Sequence, residues 1–174
     1  MSRIDYDLSL IKAFVFDIDG VLSPSTIPLF PGQGPTRMVN VKDGYAMQFA
    51  VKSGYPIAII TGARGETLEQ RYAALGIKHV YMGADIKINV LRSWLDEVKI
   101  KAENVLYMGD DIPDYEAMCA VGLPCCPADA APEICAIAKY ISPIQGGYGC
   151  ARDVIEQILK AQNHWMQDEK AFGW

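Results

Sequence analysis

Asp17 and Asp19 stand two positions apart at the end of the apolar run Ala13-Phe14-Val15-Phe16. Acids recur in the same setting further on, where Gly109-Asp110-Asp111 follows the run Asn104 to Met108 and Asp114 comes close behind. Two other apolar runs also end on polar groups: Pro56 to Ile60 leads into Thr61-Gly62, and His79 to Met82 is followed shortly by Lys87. Carboxylates brought together repel and raise each other's pKa, so Asp17, Asp19 and Asp110 can share a site only with a cation among them. An oxygen-only set with few ligands suits Mg2+, which keeps several waters and favours sites shared with phosphate. Thr61, the backbone N–H groups around Gly62, and Lys87 add neutral donors and one positive charge, the groups needed to hold phosphoryl oxygens. A D-x-D pair, a G-D-D turn or a lone lysine is common by itself. Their ordered recurrence at successive run ends is what points to phosphoryl chemistry.

These groups meet only if the intervening elements carry the run ends to one edge. The runs at 13–16, 56–60, 79–82, 104–108, 123–126 and 139–141 read as short buried strands. Between them lie helical patterns. Lys42 to Ser53 is stopped by Gly54, and Leu68, Tyr72 and Leu75 share a face before Gly76. Ile88, Leu91, Leu95 and Val98 form another face, "YEAMCAV" precedes Gly122, and a last helix covers Ala151 to Ala161. Such alternation predicts an α/β, Rossmann-like three-layer sandwich with a mostly parallel sheet, whose ligands gather at the carboxyl ends of the strands. No linker or repeat divides residues 1–174, which read as a single domain. The odd segment, about 23–41, holds four prolines and two glycines and predicts a projecting hairpin or flap. A C-terminal tail, about 163–174, carries Trp165, Phe172 and Trp174, expected to be disordered or packed on a partner.

A chain of 174 residues, 51% of them hydrophobic, is long enough to bury a sizeable core. Its formal charge of -5 and pI near 5.0 lack the basic footprint of a nucleic-acid binder, which leaves a small ligand as the expected partner. Residues 1–11 do not read as a signal peptide, and no apolar segment is long enough to span a bilayer, so a cytoplasmic location is expected. The five cysteines are odd in number and lack C-x-x-C spacing, which predicts reduced, mostly buried thiols rather than zinc. Neither His79 nor His164 suggests a Ser/His/Asp arrangement.

With these residues in view, "FVFDIDGVL", "IITG", Lys87 within "GADIK" and "MGDDIPD" resemble the four ordered signatures of haloacid dehalogenase-type phosphatases. The resemblance implies that Asp17 is the nucleophile and that Asp19 protonates the leaving alkoxide and then deprotonates water. It also implies that Asp17 and Asp110 bind the metal by side chain and Asp19 by backbone carbonyl, with Asp111 and Asp114 supporting them. Thr61, Gly62 and Lys87 would bind the transferring phosphate. Over most of the chain the sequence is similar to the small, capless branch that acts on 3-deoxy-D-manno-octulosonate 8-phosphate, in lipopolysaccharide precursor synthesis. That likeness implies a homotetramer in which the flap builds the assembly and neighbouring subunits close each site. It marks Arg71 as reaching a neighbour's substrate, and Arg64 as a substrate contact shifted by one position. Gly146-Gly147 and Gly149 read either as a lid assisted by Arg152 or as a turn leading a helix. Chain length agrees with a capless enzyme, since neither Ile18 to Lys42 nor Gly62 to Lys87 has room for a cap domain.

Three other readings compete. A phosphatase for a nine-carbon sialic-type acid 9-phosphate would share the chemistry and differ at the sugar. A receiver-like signalling domain uses similar groups, but its acidic pair comes early and its phosphoacceptor late, the reverse of the order here. A non-catalytic oligomerisation module would have no use for Asp17, Asp19, Lys87 and Asp110.

Overall fold

The computed structural model describes residues 2–167 and 169–174. Its sheet contains β1 (Ala13–Phe16), β2 (Ile57–Ile60), β3 (His79–Tyr81), β4 (Val105–Met108), β5 (Leu123–Cys126) and β6 (Tyr140–Ile141), in the order β3-β2-β1-β4-β5-β6. All neighbouring strands pair in parallel; Phe14 lies opposite Ile57 on one side and Leu106 on the other. The central strands AFVF, IAII and VLYM are buried at every position, as a parallel sheet covered on both faces requires.

Period-2 alternation divides these strands between two cores. Phe14, Phe16, Ile57, Ile59, Leu106 and Met108 face one way, against α1 (Val41–Lys52) and α6 (Cys150–Ala161). Ala13, Val15, Ala58, Ile60, Val105 and Tyr107 face the other, against α3 (Lys87–Val98) and α4 (Tyr115–Cys119). Three layers result. The remaining helices are α2 (Glu66–Ala74) and α5 (Pro132–Ile137). With six residues, α5 shows too little of the helical period to be read from sequence.

Asn40 caps α1 by accepting from the N–H groups of Lys42 and Asp43. Asp43 in turn accepts from the Arg152 N–H at 2.6 Å, capping α6 from the neighbouring helix.

Two expectations change. The segment after β1 is a flap without hairpin pairing, having only an isolated bridge between Asp19 and Ser23 among the described residues. Its prolines withhold the N–H groups a ladder needs. It leaves Leu29 78% exposed and Phe30 and Met38 more than half exposed. In the tail, Trp165 packs on its own chain, buried edge-on against Phe49 and Tyr45 of α1 with the Arg152 guanidinium over its ring. Trp174 also meets Tyr45 edge-on, while Phe172 is exposed. Burial of the large Trp165 ring favours this return of the chain onto α1. Among the described residues, no helix is long and apolar enough to cross a membrane.

Candidate active site

Strand order reverses between β1 and β4, and a crevice opens at their carboxyl ends. Asp17 follows β1 directly and Asp110 follows β4 by one glycine. After Asp17 the chain turns tightly, with the N–H groups of Val21, Leu22 and Ser23 all donating to the Ile18 carbonyl. Gly20 sits in this turn at φ +82°, and a Cβ there would lie 1.8 Å from Oδ2 of Asp110. Only glycine satisfies both the dihedral and the approach. Gly146 performs a related function behind the turn, where a Cβ would lie 1.8 Å from the Gly20 carbonyl oxygen.

The charges form a compact set. Lys87 Nζ lies 2.7 Å from Oδ2 of Asp17 and 2.7 Å from Oδ1 of Asp114. Asp114 is fully buried and also accepts from the Tyr107 hydroxyl at 2.8 Å and the Asp110 N–H at 3.3 Å. One oxygen from each of Asp17, Asp110 and Asp114 lies within 4.8 Å of the others. Burial, then the Asp114 carboxylate, push Asp17 up to about 7 against the pull of Lys87. Burial, then Asp17 and Asp114, push Asp110 up to about 8. Burial pulls the Lys87 ammonium down, but Asp17 and Asp114 together outweigh it and leave it raised. One ammonium therefore does not satisfy three acids, and the all-oxygen donor set fits a hard divalent cation.

Opposite the acids, Thr61 is buried at the end of β2, with its N–H donating to the Tyr81 carbonyl and its own carbonyl accepting from Ala84. Its hydroxyl accepts from the Ala63 N–H at 3.1 Å, which leaves the hydroxyl hydrogen to be donated elsewhere. Asp17, Asp19, Thr61, Gly62, Lys87 and Asp110 line one cavity of about 390 Å³, along with Ser25, Ala63, Ala84, Asp85, Asp111, Pro113 and Asp114. A larger hollow of about 510 Å³ lies along α6 between Arg3 and Lys160 and contains none of the strand-end groups.

Other predicted residues stand apart. Arg64 is exposed and folds over Gly83, where a Cβ would lie 2.2 Å from its guanidinium carbon. Arg71 lies on α2 with a guanidinium nitrogen 2.5 Å from where a Gly44 Cβ would be, and it is not among the residues lining the cavity. Asp111 caps the turn after β4 by accepting from the Ile112 N–H. Gly146 to Gly149 form the turn leading α6, and the Arg152 side chain pairs with Glu156.

Two functional candidates escaped the sequence reading. Tyr107 faces the α3 and α4 side of β4 and its hydroxyl holds Asp114. Arg37 reaches from the flap to Asp19, Nε to Oδ1 at 2.6 Å and Nη2 to Oδ2 at 2.8 Å, and this hydrogen bonding raises the guanidinium pKa. A signal was present, because Arg37 is the only charged residue between Ser23 and Val41.

A parallel sheet with an acid pair after β1, a threonine after β2, a lysine opening α3 and acids after β4 defines the haloacid dehalogenase-like hydrolases, and the sequence model of that family matches residues 83–149. That span holds Lys87, Asp110 and Asp114; Asp17 and Asp19 lie before it. The longer comparisons narrow the assignment. The chain is 39% identical over 152 residues to 3-deoxy-D-manno-octulosonate 8-phosphate phosphatase of Escherichia coli strain K12, covering 87% of this chain and 81% of that one. It is 37% identical over 153 residues to the Yersinia pestis enzyme of the same name, covering 88% and 82%. The crystal structure of the Moraxella catarrhalis phosphatase, in complex with magnesium ion, phosphate ion and the octulosonate sugar acid, aligns with TM-score 0.86 and 34% identity over 90% of each chain. The chain thus belongs to the 3-deoxy-D-manno-octulosonate 8-phosphate phosphatase family.

Proposed function

We propose that this chain is a magnesium-dependent phosphomonoesterase that hydrolyses 3-deoxy-D-manno-octulosonate 8-phosphate to 3-deoxy-D-manno-octulosonate and phosphate. The observation that carries the reading is the convergence of Asp17, Asp110 and Lys87 on one cavity, in a chain 39% identical to an enzyme of that name. In this reading a carboxylate oxygen of Asp17 bonds to phosphorus as the bond from phosphorus to the sugar oxygen breaks, and Asp19 delivers a proton to the departing alkoxide. Water then attacks the aspartyl phosphate, giving its proton to Asp19 and releasing Asp17. Lys87 and Thr61 hold phosphoryl oxygens throughout. The side chains of Asp17 and Asp110 and the Asp19 carbonyl would hold Mg2+, whose charge lets a carboxylate approach a phosphate dianion. Asp114 fixes Lys87 and Asp111 supports the loop after β4.

The test is phosphate release from the eight-carbon 8-phosphate and from a nine-carbon sialic-type acid 9-phosphate, each with Mg2+ and with excess chelator. Preference for the eight-carbon substrate, lost with chelator, is expected. Preference for the nine-carbon substrate would reassign the sugar, and full activity in chelator would remove the metal from the reaction.

Assembly belongs to the same proposal. The exposed apolar flap residues Leu29, Phe30 and Met38 form a patch that a second copy would cover, and a homotetramer fits. Arg71, which does not line its own cavity, would then serve a neighbour's substrate, with Arg64 as a further sugar-acid contact. Mixing inactive Asp17→Asn subunits with impaired Arg71→Ala subunits should restore turnover if sites are shared. No gain despite verified subunit exchange would refute sharing. Residues 1–174 are read as one hydrolase domain, and the five free cysteines agree with a cytoplasmic location.

A further inference from the structure

Cys125 and Cys126 end β5 and face opposite cores, and Cys126 is the one that meets α5. Its Sγ lies 4.0 Å from Sγ of Cys135, nine positions later on that helix. Sulfurs at this separation touch without being bonded, and an approach of about 2 Å brings them to disulfide distance. Cys126 is fully buried whereas Cys135 is partly exposed, so an oxidant reaches Cys135 first. Burial, then the neighbouring Cys135, push the Cys126 thiol up to about 12. That leaves Cys126 the second, intramolecular step, where proximity makes up for a small thiolate fraction. The strand is held on both sides, with Met108 opposite Cys125, Ile141 opposite Cys126, and the Ser142 N–H donating to the Cys126 carbonyl at 2.8 Å. The six-residue α5 is therefore the side that yields. Its backbone leads to the candidate site: the Cys135 N–H donates to the Ala131 carbonyl at 3.0 Å, and the Ala131 N–H donates to the Asp110 carbonyl at 2.8 Å. The same loop reaches the turn after β1, since Asp129 accepts from the Gly146 N–H at 2.8 Å and Gly146 backs the Gly20 carbonyl.

We propose that Cys126 and Cys135 form a dithiol site that hydrogen peroxide oxidises reversibly to a disulfide, and that this disulfide weakens Mg2+ binding by displacing Asp110. In the first step the Cys135 sulfur bonds to one peroxide oxygen as the O–O bond breaks. The other oxygen departs with the Cys135 thiol proton as water, leaving a sulfenic acid. In the second step the Cys126 sulfur bonds to the Cys135 sulfur, and the sulfenic oxygen departs with the Cys126 proton as a second water. Both sulfurs are oxidised, the peroxide is reduced, and a dithiol reductant reverses the change by exchange. Disulfides of this transient, sensing kind are the ones a reducing compartment allows. Drawing Cys135 toward β5 pulls on Ala131, and through it on the backbone that carries the Asp110 carboxylate. The coupling to Asp110 rests on the metal reading above, whereas the dithiol does not.

The experiment treats the full chain with graded hydrogen peroxide, as wild type, Cys126→Ala, Cys135→Ser and, for the exposed thiol of α4, Cys119→Ser. Remaining thiols are then blocked and the chain is cut after Glu133, which lies between the two cysteines. Mass spectrometry should find the Cys126 and Cys135 fragments linked in wild type and in Cys119→Ser, and released by a dithiol reductant. Calorimetric titration should show the Mg2+ Kd of oxidised wild type raised by about 3-fold or more and restored on reduction, a part of the usual effect of disturbing a metal ligand's hydrogen-bond partner. Cys126→Ala and Cys135→Ser should bind Mg2+ as the reduced wild type does and keep that affinity after peroxide. Cys135→Ser, at a partly exposed position, supplies the comparison if Cys126→Ala does not fold. Absence of the linkage, with Cys135 left as a thiol, oxidised beyond the sulfenic acid or joined to another cysteine, would overturn the site. A linkage between Cys126 and Cys135 with unchanged Mg2+ affinity would overturn the coupling to Asp110. Failure of the reduced protein to bind Mg2+ would instead overturn the metal reading, and the linkage would still decide the dithiol.

Discussion

Lys87 Nζ lies 2.7 Å from Oδ2 of Asp17, so the proposed nucleophile and the proposed phosphate-binding cation are already in contact before any ligand arrives. The same ammonium holds Asp114 at 2.7 Å, and all three side chains are nearly out of solvent. Lys87 is expected to serve stability and catalysis together. Lys87→Met leaves two buried acids without their cation and should cost about 3–5 kcal/mol. It should also lower kcat/KM by about 10²–10³-fold, as loss of a preorganised charge does. Because Lys87 holds the Asp17 pKa down, any residual activity should shift to higher pH. Thermal melts and pH-dependent phosphate release check all three, and an unshifted melting temperature would contradict the pairing argument.

Asp17→Asn is expected to abolish turnover and acyl-phosphate trapping in a folded protein, since Asn keeps the shape and the acceptor for the Ile18 N–H at 2.7 Å but is not a nucleophile. Asp19→Asn should instead slow both half-reactions by roughly 10²-fold or more. Rapid-quench trapping separates the two variants. An acyl phosphate still formed by Asp17→Asn would reassign the nucleophile.

Stability should depend on pH in a way that Mg2+ reverses. Without a cation, Asp17 and Asp110 are raised to about 7 and about 8, above their unfolded values near 3.8. A raised acid contributes stability below its unfolded pKa, and that contribution is lost as pH rises through the folded value. The metal-free protein should therefore lose melting temperature between pH 4 and about 8 from these two groups. Binding of Mg2+ displaces their protons, so its affinity should be higher at pH 8 than at pH 5. At 100-fold excess over Kd the ion should add about 2.7 kcal/mol, or about 5–10 °C for a chain of this size. Scanning fluorimetry at both pH values tests this, and equal stabilisation at pH 5 and pH 8 would count against it.

Gly20→Ala should weaken Mg2+ binding by about 10-fold or more, because the added Cβ would displace the Asp110 carboxylate and the residue is also held at φ +82°. Titration of Mg2+ by calorimetry is the direct measurement. Unchanged affinity would show that Asp110 is not held by this turn.

The sequence determined the strands, most of the helices and the carboxylates waiting at their ends. Uninterrupted runs such as AFVF and IAII are buried on both faces only in a covered parallel sheet, so local pattern and layer arrangement coincide. Asp17, Asp19, Thr61, Lys87 and Asp110 were legible because each follows or opens an element whose end is visible in the residue pattern. The tertiary structure alone decided what those groups touch. Asp114 reads as one more acid in a turn, yet Lys87, 27 positions earlier, becomes its ion partner and Tyr107 its donor. The flap residue Arg37 becomes the partner of Asp19, and the tail's Trp165 packs on α1. Periodicity reports which side of an element is buried; which distant group it meets depends on strand order and on where irregular segments fold back. Arg37 and Trp165 lie in segments with no period to read.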